Sequence, residues 1–488
     1  MMFLSLVFCI LGFVNFGLCE SEFSFSISDH VVYNNLVGSQ VLLNNFEFSS
    51  SWNKPSAVSY NPSVSSSDYN RLVLELNVNT TGTNYDRLVM LFMGDVEVWR
   101  SSTPEPDSEG MSWSARKDVS HYRSVFTSNN TINMVIQNNV EGNLDGTFYA
   151  TLTAYYYNDA GAPGRSDDNW AIDLDDLPSD IVSLNKASSS GINVWYAPSD
   201  EADAIVPAFD RSVNRALLHI FASESGEDEF WWQAVSSSAG PSRFIKVYIN
   251  DTLAGVVTPF PNIFTGGLNP YLWKPIVGLR DFNLPAYFID ITPFLPLLWE
   301  GTSKISLVAC NGVNSVSVPW SWILSMNLLT WSTAGQVNSG SMNTPKFTNS
   351  TSNDTSLLAN FELTNSATLN IGGKSQDIQW VQSIDYNNTY SSPTFYQNSG
   401  GNSKISGLYS FSWDFNFPLT CESESEYIRV QQTYDAVANG ISYYTWIDSH
   451  VNSTSSGSFS SSHSEQYLSA PQGAHFASSD NLDDQLSW

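Results

Sequence analysis

The sequence predicts an all-β protein, and three observations carry that expectation. Short apolar runs alternate at period two between clusters of Gly, Asn and Pro, the pattern of strands half-buried in a β-sandwich. Aromatic residues reach 14% while charged residues are only 14%, a composition that favours strands over amphipathic helices. No fixed-period repeat is present. At 488 residues the chain exceeds what one core holds, so two or three domains are expected.

Taken in order, residues 1–19 form an apolar run ending in small residues, which reads as a secretory signal peptide. The first β-sandwich is expected over 22–158. There RLVLELNV (Arg71–Val78) alternates, TTGTN turns, and YDRLVMLF, VEVW, INMVIQ and TFYATLTAYYY continue the pattern. The segment 158–178, rich in Asp, Gly and Pro, reads as an inter-domain connection. Its acidic run Asp173, Asp175 and Asp176 lacks the glycine a calcium loop needs and reads as solvated. A second β-rich unit is expected over 179–331, with RALLHIFA, EFWWQAV and RFIKVYIN as strands. A loop region dense in Pro, Gly and aromatics follows; its aromatics require burial, so it is ordered. Residues 332–488 shift to Ser, Thr and Asn yet keep strand-like pieces, and the Ser-rich stretch 452–464 reads as a mobile loop.

The net charge of −28 excludes a nucleic-acid partner, because no basic face exists to displace counterions. It fits plain solubility or work at acidic pH. Beyond the leader no stretch is apolar and long enough to span a bilayer, and the polar C-terminal end is no lipid-anchor signal, so no stable membrane anchor is expected after cleavage. Two cysteines remain, Cys310 and Cys421, a candidate disulfide in an oxidising compartment. Acceptors of the N-x-S/T type stand at Asn79, Asn129, Asn250, Asn349, Asn353, Asn387 and Asn452. With the leader they point to the secretory route, ending in medium, cell wall or vacuole.

Several chemistries are absent from the sequence: no GxSxG elbow, no HExxH pair and no phosphate-cradling loop. The six histidines are scattered without ligand spacing, so neither metal nor cofactor is expected. Carboxylates remain as candidate catalysts. Asp86, before Arg87, lies at the mouth of a strand whose Leu88, Met90 and Phe92 share its face. It is either a desolvated acid in a pocket or a turn residue capping the bend after Gly82. In Glu227–Trp232 three acids run into three aromatics; on a strand Glu229 and Trp231 share a face, as a sugar-binding cleft requires, or an exposed acidic turn leads into a buried strand. In Arg100–Tyr122, Glu105 is held stiffly between prolines, and Arg116 and Lys117 supply scarce positive charge, again with a structural loop as the alternative.

The stretches NYDRLVMLFMGDVEVWRSSTPEP, WSARKDVSHY, DEFWW and LAGVVTPFPNIFTGGLNPYLWKPIVGLRDFNLPAYFIDITPFL resemble, in order, the acidic peptide N-glycanase family, the almond-type peptide N-glycosidase A. The resemblance covers roughly 71–294 and is loose beyond 331. It implies two adjacent jelly-roll-like antiparallel β-sandwiches with a cleft between them, as in the similar bacterial peptide N-glycosidase F, with a third β-rich region following. It also implies hydrolysis of the β-aspartylglucosamine amide of an N-glycopeptide or N-glycoprotein without a cofactor. Carried over by motif, Asp86 and Glu229 are the catalytic acids. Arg87, Glu105, Arg116, Trp231 and Trp232 are the substrate-binding candidates, with Asn139 standing where the bacterial relative has a cleft glutamate. The alternatives are a secreted carbohydrate-binding protein without activity on this fold, or a glycoside hydrolase using two carboxylates.

Overall fold

The computed structural model describes residues 33–159, 170–187, 191–233, 243–265, 276–311 and 321–353, most of 356–481, and short pieces at 22–24 and 26. The predicted leader lies outside these residues. No helix among the described residues is long and apolar enough to cross a membrane.

The chain is all-β, as its alternation predicts. The first unit comprises β1 (Glu22–Phe23), β2 (Leu36–Phe48), β3 (Val58–Tyr60), β4 (Arg71–Thr81), β5 (Leu88–Met93), β6 (Val96–Ser102), β7 (Met111–Asp118), β8 (Asn130–Ile136) and β9 (Thr147–Tyr157). A sheet of order β1-β7-β4-β9-β2 faces one of order β3-β8-β5-β6. Leu72, Leu74, Leu76 and Val78 of β4 point inward, and Glu75 and Asn77 point away from them, the period of two that RLVLELNV shows.

The second unit holds β10 (Asp180–Ser183), β11 (Trp195–Ala197), β12 (Ala202–Val206), β13 (Val213–Glu224), β14 (Phe244–Ile249), β15 (Thr252–Val257), β16 (Ala286–Asp290), a short helix α1 (Leu295–Glu300), β17 (Ser303–Cys310) and β18 (Trp322–Ser332). Its sheets run β10-β18-β13-β16, with β11 also on β18, and β12-β17-β14-β15. The third region is one eleven-stranded sheet, beginning at Ser339–Met342 and ending at Gly473–Asn481.

Two expectations are corrected. EFWWQ is no strand: Gly226–Asp228 and Trp231–Gln233 are single 3₁₀ turns, and residues 234–235 of the expected strand lie outside the described residues. In the stretch 452–464, residues 452–453 and 459–464 belong to the strands Ile441–Ser453 and Phe459–Ala470, because backbone ladder bonds do not depend on apolar side chains, and 454–458 lie outside the described residues. Of the connection 158–178, residues 160–169 lie outside the described residues; beyond them Trp170, Ile172 and Leu174 are buried, and Asp173, Asp175 and Asp176 face solvent as expected. Trp170 sets its edge on Phe288 and Phe415, at ring-centroid distances of 5.6 and 5.5 Å.

The seam between the first two units positions the site. Val89, Leu91 and Met93 of β5 enter the main core, which runs without a break from the first unit into the third. Met90 and Phe92, with Leu88 packed beside them, turn the other way onto Ile192, Val194 and Ile323. The face that carries Leu88, Met90 and Phe92 thus covers the second unit instead of lining the first sandwich. Beside it the ion pair Glu97–Arg100 is fully buried at 2.7 Å. Arg100 also donates to the Ile323 carbonyl at 2.7 Å. Ser325 donates to Glu97, and Asn327 donates to the Glu97 carbonyl at 2.7 Å.

The third sheet packs on the second unit. Gln382 accepts from Val256 N at 3.0 Å, Asn365 donates to the Ala254 carbonyl at 2.9 Å, and Gln432 donates to the Pro261 carbonyl at 2.6 Å. Phe260 meets Phe417 and Tyr434 edge-on at 5.1 and 5.5 Å.

Candidate active site

The segment before β5 is held by an asparagine lock. Asn84 is buried; its backbone N–H donates to Pro106 O at 3.1 Å. Its amide donates to Asn138 Oδ1 at 2.6 Å and to Gly146 O at 3.0 Å. Asn138 in turn donates to Phe48 O and Gly146 O. Gly146 admits this approach only because it lacks a side chain: a Cβ there would lie 2.9 Å from the Asn84 Cβ and from Thr83 O. Asn84 Oδ1 accepts from Tyr85 N and from the Arg87 guanidinium, at 3.0 and 2.5 Å. Thr103 completes the grip: Arg87 N donates to its hydroxyl at 2.8 Å and Thr103 N donates to Arg87 O at 2.9 Å. Tyr85 is left exposed, with Arg87 over its ring at 5.8 Å.

Asp86 sits between these fixed neighbours. It is half-buried. Burial raises its carboxyl well above the usual range; the negative charges of Glu229 and Glu105 raise it further, and Arg87 opposes them. Burial, then Glu105, also raises Glu229. Burial lowers the Arg87 guanidinium, against the pull of Asp86. The structure therefore brings Asp86, Glu105 and Glu229 into one another's field, with Arg87 the cation beside Asp86 and Glu105 half-buried between Pro104 and Pro106.

The turn that presents Glu229 is anchored by its neighbour. Asp228 is fully buried and takes Arg243 at 2.7 and 2.6 Å, and the Trp322 indole N–H at 2.6 Å. Glu229 follows as the last residue of that turn, half-buried, and Phe230 is exposed.

Two buried acids lie deeper. Glu224, at the end of β13, accepts from Asn262 N and its amide, both at 3.1 Å, and burial pushes its carboxyl up to about 8. Asp281 is fully buried, and burial, then the charge of Asp86, raises it well above the usual range. Neither residue stood out in the sequence reading as a site acid. Asp281 lies in a Pro- and aromatic-rich loop, and Glu224 ends a strand that also carries Asn214, Arg215, His219 and Ser223; only the motif GLRDF marks the former.

Other sequence candidates fall elsewhere. Trp231 and Trp232 are core residues, 2% and 1% exposed, so they have no face to offer a sugar. The exposed aromatic of the motif is Phe230. Arg116 pairs with Glu75 at 2.5 Å and lies over Tyr155 at 5.3 Å, on the face of β4 and β7 turned away from the core. Lys117 donates to Asn283 Oδ1 at 2.6 Å. Asn139 is exposed after β8, beside the structural Asn138. Cys310 is a buried thiol with Sγ 3.5 Å from Phe244 O, and the Cys421 side chain lies outside the described residues. Of the acceptor asparagines, Asn79, Asn129 and Asn349 are exposed and Asn250 and Asn452 are half-buried; the side chains of Asn353 and Asn387 lie outside the described residues. No group of three or more His, Cys, Asp or Glu among the described residues is arranged to hold a metal ion.

Two comparisons bear on this arrangement. The chain is 29% identical over 288 residues to the Peptide-N4-(N-acetyl-beta-glucosaminyl)asparagine amidase A of Prunus dulcis, spanning 54% of this chain and about half, 49%, of that protein. The family described as Peptide N-acetyl-beta-D-glucosaminyl asparaginase amidase A matches residues 28–348, a span that includes the asparagine lock, Asp86, Glu105, Glu229 and Asp281. With more than half of its length so matched, this chain belongs to the Peptide N-acetyl-beta-D-glucosaminyl asparaginase amidase A family.

Proposed function

We propose that the protein is a glycoasparagine amidase that cleaves the bond between an asparagine side chain and the first N-acetylglucosamine of an N-glycan. The observation that carries this reading is the mutual field of Asp86, Glu229 and Glu105, with Arg87 held by Asn84 and Thr103 as the cation beside Asp86. Such crowding keeps the acids from ionising together, so at mildly acidic pH one is a base while another still holds a proton.

In this reading Asp86 takes a proton from a water as its oxygen bonds to the amide carbon. Arg87, whose Nε lacks a partner among the described residues, steadies the developing oxyanion. The C–N bond then breaks and the departing nitrogen takes a proton from Glu229. The peptide leaves with aspartate in place of asparagine, and the glycan leaves as a glycosylamine that loses ammonia to water. Phe230, the exposed ring next to Glu229, stacks on the apolar face of the sugar. The secretory route and an acidic working pH belong to the same proposal.

The test is mass spectrometry of a small N-glycopeptide incubated with the protein at several acidic pH values. Conversion of asparagine to aspartate with loss of the whole glycan is the expected product. Sugar left on asparagine would instead make the protein a glycoside hydrolase. Unchanged substrate at every pH would leave a binding protein.

A further inference from the structure

We propose that the third region is part of the candidate site: Tyr434, with Gln432, positions the turn Gly278–Asn283 and thereby holds the carboxyl of Asp281 beside Asp86. This rests on reading Asp86 as the reacting acid. The family match ends at residue 348, so Tyr434 and Gln432 stand outside it.

The geometry is continuous from the third sheet to the acid cluster. Gln432 and Tyr434 lie in the strand Tyr427–Ala438 and are both buried. Gln432 fixes the Pro261 carbonyl at 2.6 Å, and the Tyr434 ring lies under the Arg280 guanidinium at 4.8 Å and against Phe260 at 5.5 Å. Arg280 has φ of 71°, a left-handed conformation that costs a non-glycine residue energy and persists only where the surroundings impose it. The cation–ring contact is such an imposition, since it draws the Arg280 side chain outward.

The far side of the turn is tied to the first unit. Ser102 N donates to Asp281 O at 2.7 Å, Leu284 N to Arg100 O at 3.1 Å, and the Trp99 indole to Phe282 O at 3.1 Å. Ser102 is followed by Thr103, the residue that grips Arg87 next to Asp86. Asp281 and Arg87, the neighbour of Asp86, are therefore held by the adjacent residues Ser102 and Thr103 where β6 ends. Within the turn Asp281 N donates to Gly278 O at 3.2 Å, and a Cβ on Gly278 would lie 2.7 Å from Asp281 Oδ2. The Gly278 backbone favours the charged form of the Asp281 carboxyl, and among the described side chains none donates to it.

The groups facing Asp281 leave it no cation of its own. Asp86 and Glu224 both press it toward the neutral form. Arg280 is turned to Tyr434 and acts on Tyr287, whose hydroxyl accepts from Phe260 N. Arg87 is engaged with Asn84, Arg100 with Glu97, and Lys117 with Asn283. Glu229 and Glu105 add further negative charge around Asp86. Kept dry by the turn, Asp281 stays neutral and leaves Asp86 free to carry the negative charge. If the turn loosens and water reaches Asp281, it ionises at lower pH, and its charge makes Asp86 harder to ionise.

The experiment is the pH profile of kcat/KM on a defined N-glycopeptide for the full chain and four variants: Tyr434→Phe, Tyr434→Leu, Asp281→Asn and the double variant Tyr434→Leu/Asp281→Asn. Tyr434→Phe keeps the ring and should match the parent. Tyr434→Leu should move the acid limb up by about one pH unit. With asparagine at 281 the leucine substitution should no longer move it. A leucine variant with the parent's limb, or a shift that survives Asp281→Asn, overturns the proposal. Should Tyr434→Leu not fold, Arg280→Met at the half-buried other side of the contact must reproduce the shift, and an unmoved limb there overturns it equally. If the parent releases no glycan, the amidase reading fails by itself. Carboxyl titration of Asp281 by carbon NMR then decides this proposal, which requires Asp281 to ionise at lower pH in the leucine variant and at the parental pH in the phenylalanine one; an unmoved titration overturns it.

Discussion

Asp228 and Asp281 are both fully buried acids beside the candidate site, and their surroundings are opposite. Asp228 is met by a bidentate arginine and an indole N–H, in a 3₁₀ turn whose next residue is Glu229. Asp281 is met by a glycine backbone and by the fields of two other acids. A matched charge in the interior is a strut: its ion pair and hydrogen bonds fix the turn. An unmatched acid is held neutral by burial, so its proton answers to its neighbours. The same residue type thus serves shape in one loop and electrostatics in the other.

The most severe way to break this contrast is at the residue on which the unmatched acids act. Asp86→Asn should lower kcat/KM by about 10²–10⁴-fold while the urea midpoint stays that of the parent. An active, folded variant would remove Asp86 from the chemistry. Next in size is turning the strut into an unmatched acid. Arg243→Leu leaves Asp228 buried without its cation and should cost about 3–5 kcal/mol in equilibrium unfolding; a loss near zero would show that the pair is no strut.

A smaller effect sharpens the other half of the contrast. Glu224 holds its proton in the folded chain up to about 8 but releases it near 4.5 when unfolded. The folded state therefore binds the extra proton between these values. The stability so conferred is full below about 4.5 and is lost as the pH rises through about 8. Glu224→Gln should flatten the stability–pH slope in this window by up to about 1.4 kcal/mol per pH unit, read from denaturant midpoints at successive pH values. Smallest is Arg116→Ala. Its pair with Glu75 is partly exposed, so the loss should stay under about 1 kcal/mol with kcat/KM unchanged.

Much of the fold was legible because strand alternation is a local property. RLVLELNV shows its inward leucines directly, and β4 buries them. Alternation does not say what lies on each side of a strand buried on both faces. Leu88, Met90 and Phe92 therefore read as sandwich interior, although they cover the second unit. DEFWW read as a strand because two aromatics and an acid suggest a face, but single 3₁₀ turns have no period to recognise, and both tryptophans went to the core. Asp86 and Glu229 stand out as candidate acids from their neighbours, each with a structural alternative, and motif order is what favours the catalytic reading. Asp281 escaped notice because its significance comes from Ser102, Gly278 and Tyr434, which are distant in sequence or chemically plain.

The buried pair Glu97–Arg100 has a consequence for how this molecule can be inherited and handled. Its charges belong to the first unit, yet Ile323 O, Ser325 and Asn327 of the second complete their hydrogen bonds. Separating the units would strand a desolvated ion pair and bare the apolar face of β5. The two sandwiches are therefore not interchangeable modules. They should melt in one calorimetric transition, fail as separately expressed halves, and accept a foreign partner only if it brings the seam residues with it.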